Sequence, residues 1–288
     1  MLIMKTLNYF FQAIFIYFLF LIGFILGLRL SKKIFSALFR VLGPIFRSEK
    51  IIDRNLSIFE KKFTILDRIK IKKEMWENYG KTFIEYIFLK KFRHSSEHIE
   101  IAGIENLIAP SKQNKPVIFI SGHFANFELM SMEITKNNIN LATIYRPLNN
   151  FFLNPFMEYL RKKYVCKNQI KKGIGGVREA IEFIRKKYSI ALMVDQRVSE
   201  GKNVPLFGKP ALTTTLPAQL SLKFNLPIIP VLIKRQKDDN FKIEFMKKIN
   251  PENFRNKSQL SKKINETLEE LITKNPSQWI WTHNRWKQ

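Results

Sequence analysis

A histidine and a carboxylate stand five positions apart in Ser121-Gly122-His123-Phe124-Ala125-Asn126-Phe127-Glu128, directly after the apolar run Pro116 to Ile120. A carboxylate bonded to one imidazole nitrogen fixes the tautomer and stabilises the imidazolium, leaving the other nitrogen to take a proton from an acceptor hydroxyl. Such a pair makes a hydroxyl nucleophilic with no serine or cysteine nucleophile on the enzyme. On one continuous helix the two side chains diverge by roughly 140° and do not meet, so the pairing requires a bend. A buried strand over Val117 to Ile120, a turn at Gly122 and a helix from Asn126 place His123 at a strand's carboxyl end. Glu128 then falls in the first helical turn, and both face the cleft where open α/β sheets bind ligands. The competing reading is structural: a capping or core histidine, with Glu128 favoured there by the helix dipole. Of the histidines at 94, 98, 123 and 283, only His123 follows a strand-like run and a glycine.

The elements that must carry this pair are read from hydrophobic period. Periods of two predict strands near 98–103, 116–121, 140–146, 189–194, 227–234 and 241–246. Periods of 3.6 predict helices near 126–136, 154–164, 174–187, 212–225 and 258–274. The alternation predicts an α/β fold, a largely parallel sheet flanked by helices. Ahead of it, 29–97 reads as helical.

Other polar positions fall at predicted strand ends. Arg146 follows Leu141 to Ile144 and precedes a proline, where a guanidinium meets a phosphate or carbonyl oxygen, or else makes a surface ion pair. Asp195 and Gln196 end the run Ile190 to Val194, where a carboxylate either holds an arginine or orients a sugar, or caps the next loop. In Val204-Pro205-Leu206-Phe207-Gly208 the glycine permits close backbone approach and Phe207 offers an apolar contact to a ligand. Thr213-Thr214-Thr215 fits a helix start, with capping as its simplest role. Gly173-Ile174-Gly175-Gly176 lacks the lysine-serine ending of a phosphate loop, so no nucleotide site is expected. No His, Cys, Asp or Glu grouping has metal-ligand spacing. Trp279, Trp281 and Trp286 suit either a membrane-interface belt or a segment packed back on the core, and His283 has no carboxylate near it in sequence.

Taken in order, Trp76-Glu77-Asn78-Tyr79-Gly80-Lys81-Thr82-Phe83, the His123/Glu128 block, Tyr145-Arg146-Pro147, Arg161, Val194-Asp195-Gln196, Pro205 to Gly208 with Thr213 to Thr215, and Gln278-Trp279-Ile280-Trp281-Thr282-His283-Asn284-Arg285 resemble the glycerolipid acyltransferase superfamily. Within it they are most similar to the lipid A secondary acyltransferases of Gram-negative inner membranes. The resemblance implies transfer of a fatty acyl chain from an acyl carrier protein thioester to a hydroxyl of a lipid A precursor, with no cofactor. It also implies His123 and Glu128 as the catalytic pair, Arg161 as an acceptor-phosphate or transition-state group, and acyl carrier protein, a membrane glycolipid and bilayer lipids as partners. Arg161 otherwise reads as basic surface within Arg161-Lys162-Lys163. Two further readings stay open: acylation of a glycerophospholipid or another glycolipid, and a noncatalytic basic membrane protein.

Lipid is indicated independently at the amino terminus. Leu7 to Leu28 is 22 residues without a charge, long enough as a helix for the ~30 Å hydrocarbon core. It exceeds a signal peptide's apolar region and lacks a small-x-small cleavage site before Arg29. A retained anchor is expected, crossing the bilayer or lying in its interface. Lys5 precedes the run while Arg29, Lys32, Lys33, Arg40 and Arg47 follow it, which places the larger domain in the cytoplasm. The expected organisation is an anchor over 1–30, a helical membrane-proximal segment over 31–97 and an acyltransferase core over 98–288. The 49 Lys and Arg against 24 Asp and Glu, a net charge of +25, suit anionic headgroups, phosphorylated sugars or an acidic carrier protein. No zinc finger, ribonucleoprotein motif or basic recognition helix accompanies the charge, so nucleic acid is not expected. The single cysteine, Cys166, excludes an intrachain disulfide and fits a reducing compartment.

Overall fold

In the computed structural model, which describes residues 2–46, 49–59, 63–113 and 115–287, helices lead and a mixed sheet follows. Arg47, one of the flanking charges, lies outside the described residues. The helices are α1 Leu2–Phe46, α2 Glu49–Ser57, α3 Ile65–Glu85, α4 Leu89–His94, α5 Ile104–Lys112, α6 Glu128–Lys136, α7 Asn154–Leu160, α8 Ile174–Arg185, α9 Leu216–Phe224 and α10 Lys257–Lys274. The strands are β1 Ile99–Ala102, β2 Ile118–Ser121, β3 Leu141–Tyr145, β4 Asn168–Lys171, β5 Ser189–Met193, β6 Lys202–Leu206, β7 Lys209–Thr213, β8 Ile228–Arg235 and β9 Phe241–Phe245.

Seven strands form one sheet in the order β1-β9-β8-β2-β5-β3-β4. The block β8-β2-β5-β3-β4 is parallel throughout. β9 runs antiparallel to β8 after a tight turn, and β1 follows β9. β2 and β5, at the centre of the parallel block, are near-continuous apolar runs because both of their faces are covered. Ile118 and Ile120 of β2 join the core under α9, α10 and the tryptophans, while Phe119 joins the opposite core under α6. That alternation sets a three-layer α/β/α domain with the β2 carboxyl end pointing to one edge.

The seven-stranded sheet is largely parallel as expected, with β8 and β9 as its antiparallel pair, and the predicted strands and helices are present with three departures. β4 was not anticipated because only Ile170 of its four side chains is buried, as befits an edge strand. The hairpin β6–β7 replaces the start of the helix expected from residue 212. Its alternating pattern of exposed and buried side chains is too short and proline-broken to stand out. Helix α5, on the surface after β1, was also unanticipated.

α1 is broken at Gly27, whose φ of 72° and ψ of 165° are non-helical. Beyond that kink it packs along α3, which begins with a Thr64/Asp67 capping box. The contact depends on small residues. A Cβ on Gly80 would lie 2.1 Å from the Phe35 carbonyl oxygen, and one on Gly43 would lie 2.3 Å from the Trp76 ring.

Candidate active site

The site is built on the turn between β2 and α6. Ala125 takes a left-handed φ of 44°, uncommon for a residue with a Cβ, and the surroundings hold it there. Its N–H donates to the Gln278 carbonyl (3.0 Å), and its own carbonyl accepts from Thr82 Oγ1 (3.1 Å). Asn126 Nδ2 donates to Glu85 Oε2 (3.1 Å). Glu85 is fully buried and paired in bidentate fashion with Arg235, which also donates from Nε to Asn78 Oδ1 (3.0 Å) and from Nη2 to Thr82. A buried ion pair between α3 and β8 thus underlies the turn. Gly122 serves by its size, not by an unusual φ, since a Cβ there would meet Phe124 at 2.7 Å and Asp195 Oδ2 at 3.2 Å.

His123 follows β2 as the sequence predicts, but its carboxylate partner is Asp195. His123 Nδ1 lies 2.8 Å from Asp195 Oδ1, and the His123 main-chain N–H donates to Oδ2 at 2.8 Å. Trp279 Nε1–H also donates to Oδ2, at 2.9 Å. Asp195 is wholly buried. Burial pushes its pKa up, but the adjacent imidazole charge and the three N–H donors outweigh burial and hold the carboxyl below the usual aspartate value. An ionised carboxylate only accepts, so Nδ1 carries the hydrogen and Nε2 keeps the lone pair. The ring is one-fifth exposed, and Nε2 has no protein partner among the described residues. His123 also packs edge-on against Phe127, with centroids 4.6 Å apart.

Glu128 sits in the first turn of α6 as expected, but the bend carries it away from His123 and toward α3 and α7. The expected His123–Glu128 hydrogen bond is therefore corrected. Glu128 Oε1 accepts from Arg161 Nε (2.7 Å) and from Tyr86 OH (2.7 Å), and Arg161 Nη2 lies 2.6 Å from the same oxygen. Arg161 Nη2 donates to Tyr86 OH (3.2 Å), and the guanidinium lies over the rings of Tyr86 and Tyr145. Burial lowers the Arg161 pKa, but Glu128 and Tyr86 reverse this and hold it above the normal arginine range. Burial followed by the Glu128 charge drives the Tyr86 phenol up, so it stays protonated and donating. Arg161 opens a π-helical turn, Arg161–Val165, that continues α7. Such bulges re-aim side chains and recur at functional sites. Nη1 of Arg161 remains without a bond among the described residues, available to a ligand oxygen.

The other predicted residues divide. Arg146 stands exposed at the end of β3, within loose reach of Asn149 Oδ1 (3.4 Å). Its charge contributes to depressing the His283 pKa, behind burial, Arg285 and His123, so it belongs to this end of the sheet. Gln196 follows Asp195, half-buried, with no hydrogen bond to either cluster. Phe207 and Gly208 form the β6–β7 turn, both at positive φ (53° and 72°). The Phe207 ring packs at a tilt on Phe59, with centroids 3.9 Å apart, and its main-chain N–H donates to Glu269 (2.5 Å). It reaches Asp195 through the rings of Phe59, Trp281 and Trp279, so the hairpin supports the site through packing. Thr213 is buried against Arg285 and Asn265, and Thr215 stands at the N-cap position of α9, its hydroxyl accepting from Gln219 Nε2 rather than from the helix backbone.

Two functional residues escaped sequence reading. Tyr86 lies just past the Trp76–Phe83 segment, and nothing local marks its hydroxyl. Trp279 carried a signal, because a fully buried indole N–H needs an acceptor. The tryptophan-rich end packs on the core and is not a membrane belt: Trp279 and Trp281 are fully buried. His283 Nε2 accepts the Arg197 N–H (2.8 Å), which makes it a turn support. Among the described residues no three His, Cys, Asp or Glu side chains converge as a metal-binding set.

Two charged clusters on one turn, a tautomer-fixed imidazole and a carboxylate-held arginine, can activate a hydroxyl and hold an oxyanion or phosphate beside it. Residues 3–288 match the family described as Bacterial lipid A biosynthesis acyltransferase. Over 250 residues the chain is 24% identical to the lipid A biosynthesis palmitoleoyltransferase of Escherichia coli strain K12, covering 84% of this chain and 79% of that protein. The lipid A biosynthesis acyltransferase of Shigella flexneri matches with the same identity and coverage. Among solved structures, the 1-acyl-sn-glycerophosphate acyltransferase PlsC of Thermotoga maritima aligns with a TM-score of 0.42 and 15% identity, over 88% of this chain and 100% of that one.

Proposed function

We propose that this chain, which belongs to the bacterial lipid A biosynthesis acyltransferase family and so transfers acyl groups to a lipid, takes its acyl chain from an acyl carrier protein thioester. The acceptor is a hydroxyl of a lipid A precursor at the cytoplasmic face of the inner membrane, and no cofactor takes part. The observation that carries the reading is the His123 Nδ1–Asp195 bond, which leaves the Nε2 lone pair free on a ring one-fifth exposed to solvent.

The steps follow from that geometry. His123 Nε2 takes the proton of the acceptor hydroxyl as its oxygen attacks the thioester carbonyl carbon. Asp195 stabilises the imidazolium that forms. The tetrahedral oxyanion collapses, the carbon–sulfur bond breaks, and the leaving thiolate takes the proton back from Nε2. The acyl group passes directly between substrates, so no acyl-enzyme forms. Arg161, held rigid by Glu128 and Tyr86, presents its remaining N–H groups to the oxyanion or to an acceptor phosphate. Arg146, exposed at the next strand end, adds a second positive charge for the phosphorylated acceptor. The net charge of +25 suits both this acceptor and an acidic carrier protein.

The test is mass spectrometry of products after incubating wild-type and His123→Ala protein with a tetraacylated, Kdo-bearing lipid A precursor and mixed acyl carrier protein thioesters. One added acyl mass with the wild type alone supports the reading and identifies the chain. Full activity of folded His123→Ala removes the proposed base. Transfer to a glycerophospholipid acceptor in its place moves the assignment within the superfamily.

A further inference from the structure

Strand β8 pairs with β2 only as far as Pro230 and runs on to Arg235, beside the turn that carries His123. Arg235 is 5% exposed, and two chains of hydrogen bonds lead from it to the same residue, Ala125. The first starts at its side chain. Nη2 donates to Thr82 Oγ1 (3.2 Å), and since a guanidinium only donates, the Thr82 hydrogen is left for the Ala125 carbonyl (3.1 Å). Nη1 and Nη2 also donate to the two Glu85 oxygens, and Oε2 in turn takes the side-chain amide of Asn126 (3.1 Å), the residue after Ala125. The second chain starts at the Arg235 backbone. Its N–H donates to Gln278 Oε1 (2.7 Å), and its carbonyl accepts from Gln278 Nε2 (2.8 Å). This two-point pairing fixes Gln278, whose own carbonyl accepts the Ala125 N–H (3.0 Å). Trp279, the next residue, gives its indole N–H to Asp195 Oδ2 (2.9 Å), the oxygen that also takes the His123 main-chain N–H.

Both backbone groups of Ala125 are thus held from one residue. Ala125 has a φ of 44°, a conformation that a residue with a Cβ keeps only where its surroundings over-determine it. His123 lies two residues before it, so a relaxation of Ala125 to negative φ would re-aim the imidazole against Asp195. Fold stability does not account for the arrangement, because an apolar set of the same volume holds a helix to a strand as well as a buried ion pair does. What an apolar set cannot do is orient the donor and the acceptor that grip the two sides of one left-handed residue.

We infer that Arg235 is a positioning residue for acyl transfer. It acts through other residues: Thr82 and Glu85 carry its side-chain hold to the turn, and Gln278 carries its backbone hold both to the turn and to the indole that helps to orient Asp195. The inference rests on the reading of His123 as the base and Asp195 as its partner. Its signature is a loss in kcat without a loss in substrate affinity, since the residues that would meet the substrates stay in place while the imidazole is mis-set.

Arg235→Lys keeps the charge but loses the planar fork, and is expected to lower kcat roughly 10- to 100-fold, as a displacement of about 1 Å at a reacting group does, with both KM values unchanged. Because loss of a buried fork can also prevent folding, two milder variants cut one chain of bonds each: Thr82→Val, which keeps the shape, and Gln278→Met. Each should lower kcat about tenfold on the same grounds. Asp239→Asn is the control. On the turn after β8 it breaks the pairs with Lys32 and Lys81 and touches neither chain of bonds, so it should lower Tm and leave kcat unchanged. The second readout is proton NMR of the full chain in detergent micelles, following the His123 Nδ1–H resonance, assigned by its loss in His123→Ala. This resonance should shift or exchange faster with water in Thr82→Val and Gln278→Met, and stay in place in Asp239→Asn. Wild-type kcat and an unmoved resonance in folded Thr82→Val and Gln278→Met would overturn the inference, as would an equal fall in kcat in Asp239→Asn. Full activity of folded His123→Ala is a different failure, that of the base itself, and the resonance then still decides whether Arg235 sets the turn.

Discussion

Asp195 holds His123 at two points, taking the ring Nδ1–H with one carboxylate oxygen and the main-chain N–H with the other, each at 2.8 Å. The ring orientation and the turn that carries it are thus fixed by one buried group that follows a different strand, β5. Replacing Asp195 by Asn keeps the shape but supplies an amide that can donate to Nδ1, favouring the tautomer in which Nε2 bears the hydrogen. Acyl transfer by Asp195→Asn is expected to fall roughly 10²–10⁴-fold, with the donor KM little changed. Initial rates over a range of acyl carrier protein thioester concentrations measure this. A rate within a fewfold of wild type would show that the imidazole needs no carboxylate there.

Glu128 belongs to Arg161, and the pair is nearly buried, with side chains 8% and 11% exposed. Removing one partner of a buried pair leaves the other charge unneutralised, at a cost of about 3–5 kcal/mol. Arg161→Met should lower thermal stability by that order. The double variant Glu128→Gln/Arg161→Met should recover a large part of the loss, because no lone charge remains. Thermal unfolding of the two singles and the double forms a cycle, and strictly additive losses would show that the pair is not coupled. In kinetics, Glu128→Gln is expected to raise the acceptor KM, where Asp195→Asn lowers kcat.

The site was partly legible in sequence. His123 was readable because a strand, a small residue and a helix start surround it, and Asp195 because it ends an apolar run. Their pairing was not, since it depends on β2 and β5 being neighbours, a long-range fact that Ser121 and Asp195 do not encode locally. Sequence proximity favoured Glu128, and the positive φ at Ala125 turned it elsewhere. Tyr86 and the Glu85–Arg235 pair were invisible because their partners lie 42 and 150 residues away. The fold was legible wherever a strand was buried on both faces, and illegible at β4, β6 and β7, where half or more of each strand's side chains meet solvent.

The seam between α1 and α3 rests on glycines with no room for a methyl group. At Gly80 the obstacle is the Phe35 backbone carbonyl, 2.1 Å from where a Cβ would sit, and backbone yields less readily than a side chain. Gly80→Ala should cost about 1–3 kcal/mol or more through forced separation of the helices. Gly175, in the first turn of α8, has nothing within 4 Å of its would-be Cβ. There the same substitution should stabilise by about 0.5–1 kcal/mol by removing unfolded-state freedom. Opposite shifts in Tm for the two variants are the expected result, and a neutral Gly80→Ala would mean that the helices are not pressed together.

Acid should weaken the protein first through His98. Its ring packs on Phe92 with centroids 4.6 Å apart, and its Nε2 is buried without a hydrogen-bond partner. Burial, then the nearby charges of Lys136, Lys32 and Lys91, push its pKa from 6.5 down to about 4. The unfolded chain therefore binds a proton below about pH 6.5 that the folded chain refuses until about pH 4, so stability rises with pH across this window. The contribution is complete above pH 6.5, is lost as pH falls toward 4, and is moderated by solvent around a half-exposed ring. His283 acts in the same direction, its pKa lowered chiefly by burial. Melting temperature should decline from pH 6.5 to pH 4, and His98→Phe should flatten part of that slope while retaining the contact with Phe92. An unchanged slope in His98→Phe would assign the acid sensitivity to His283 and the carboxylates.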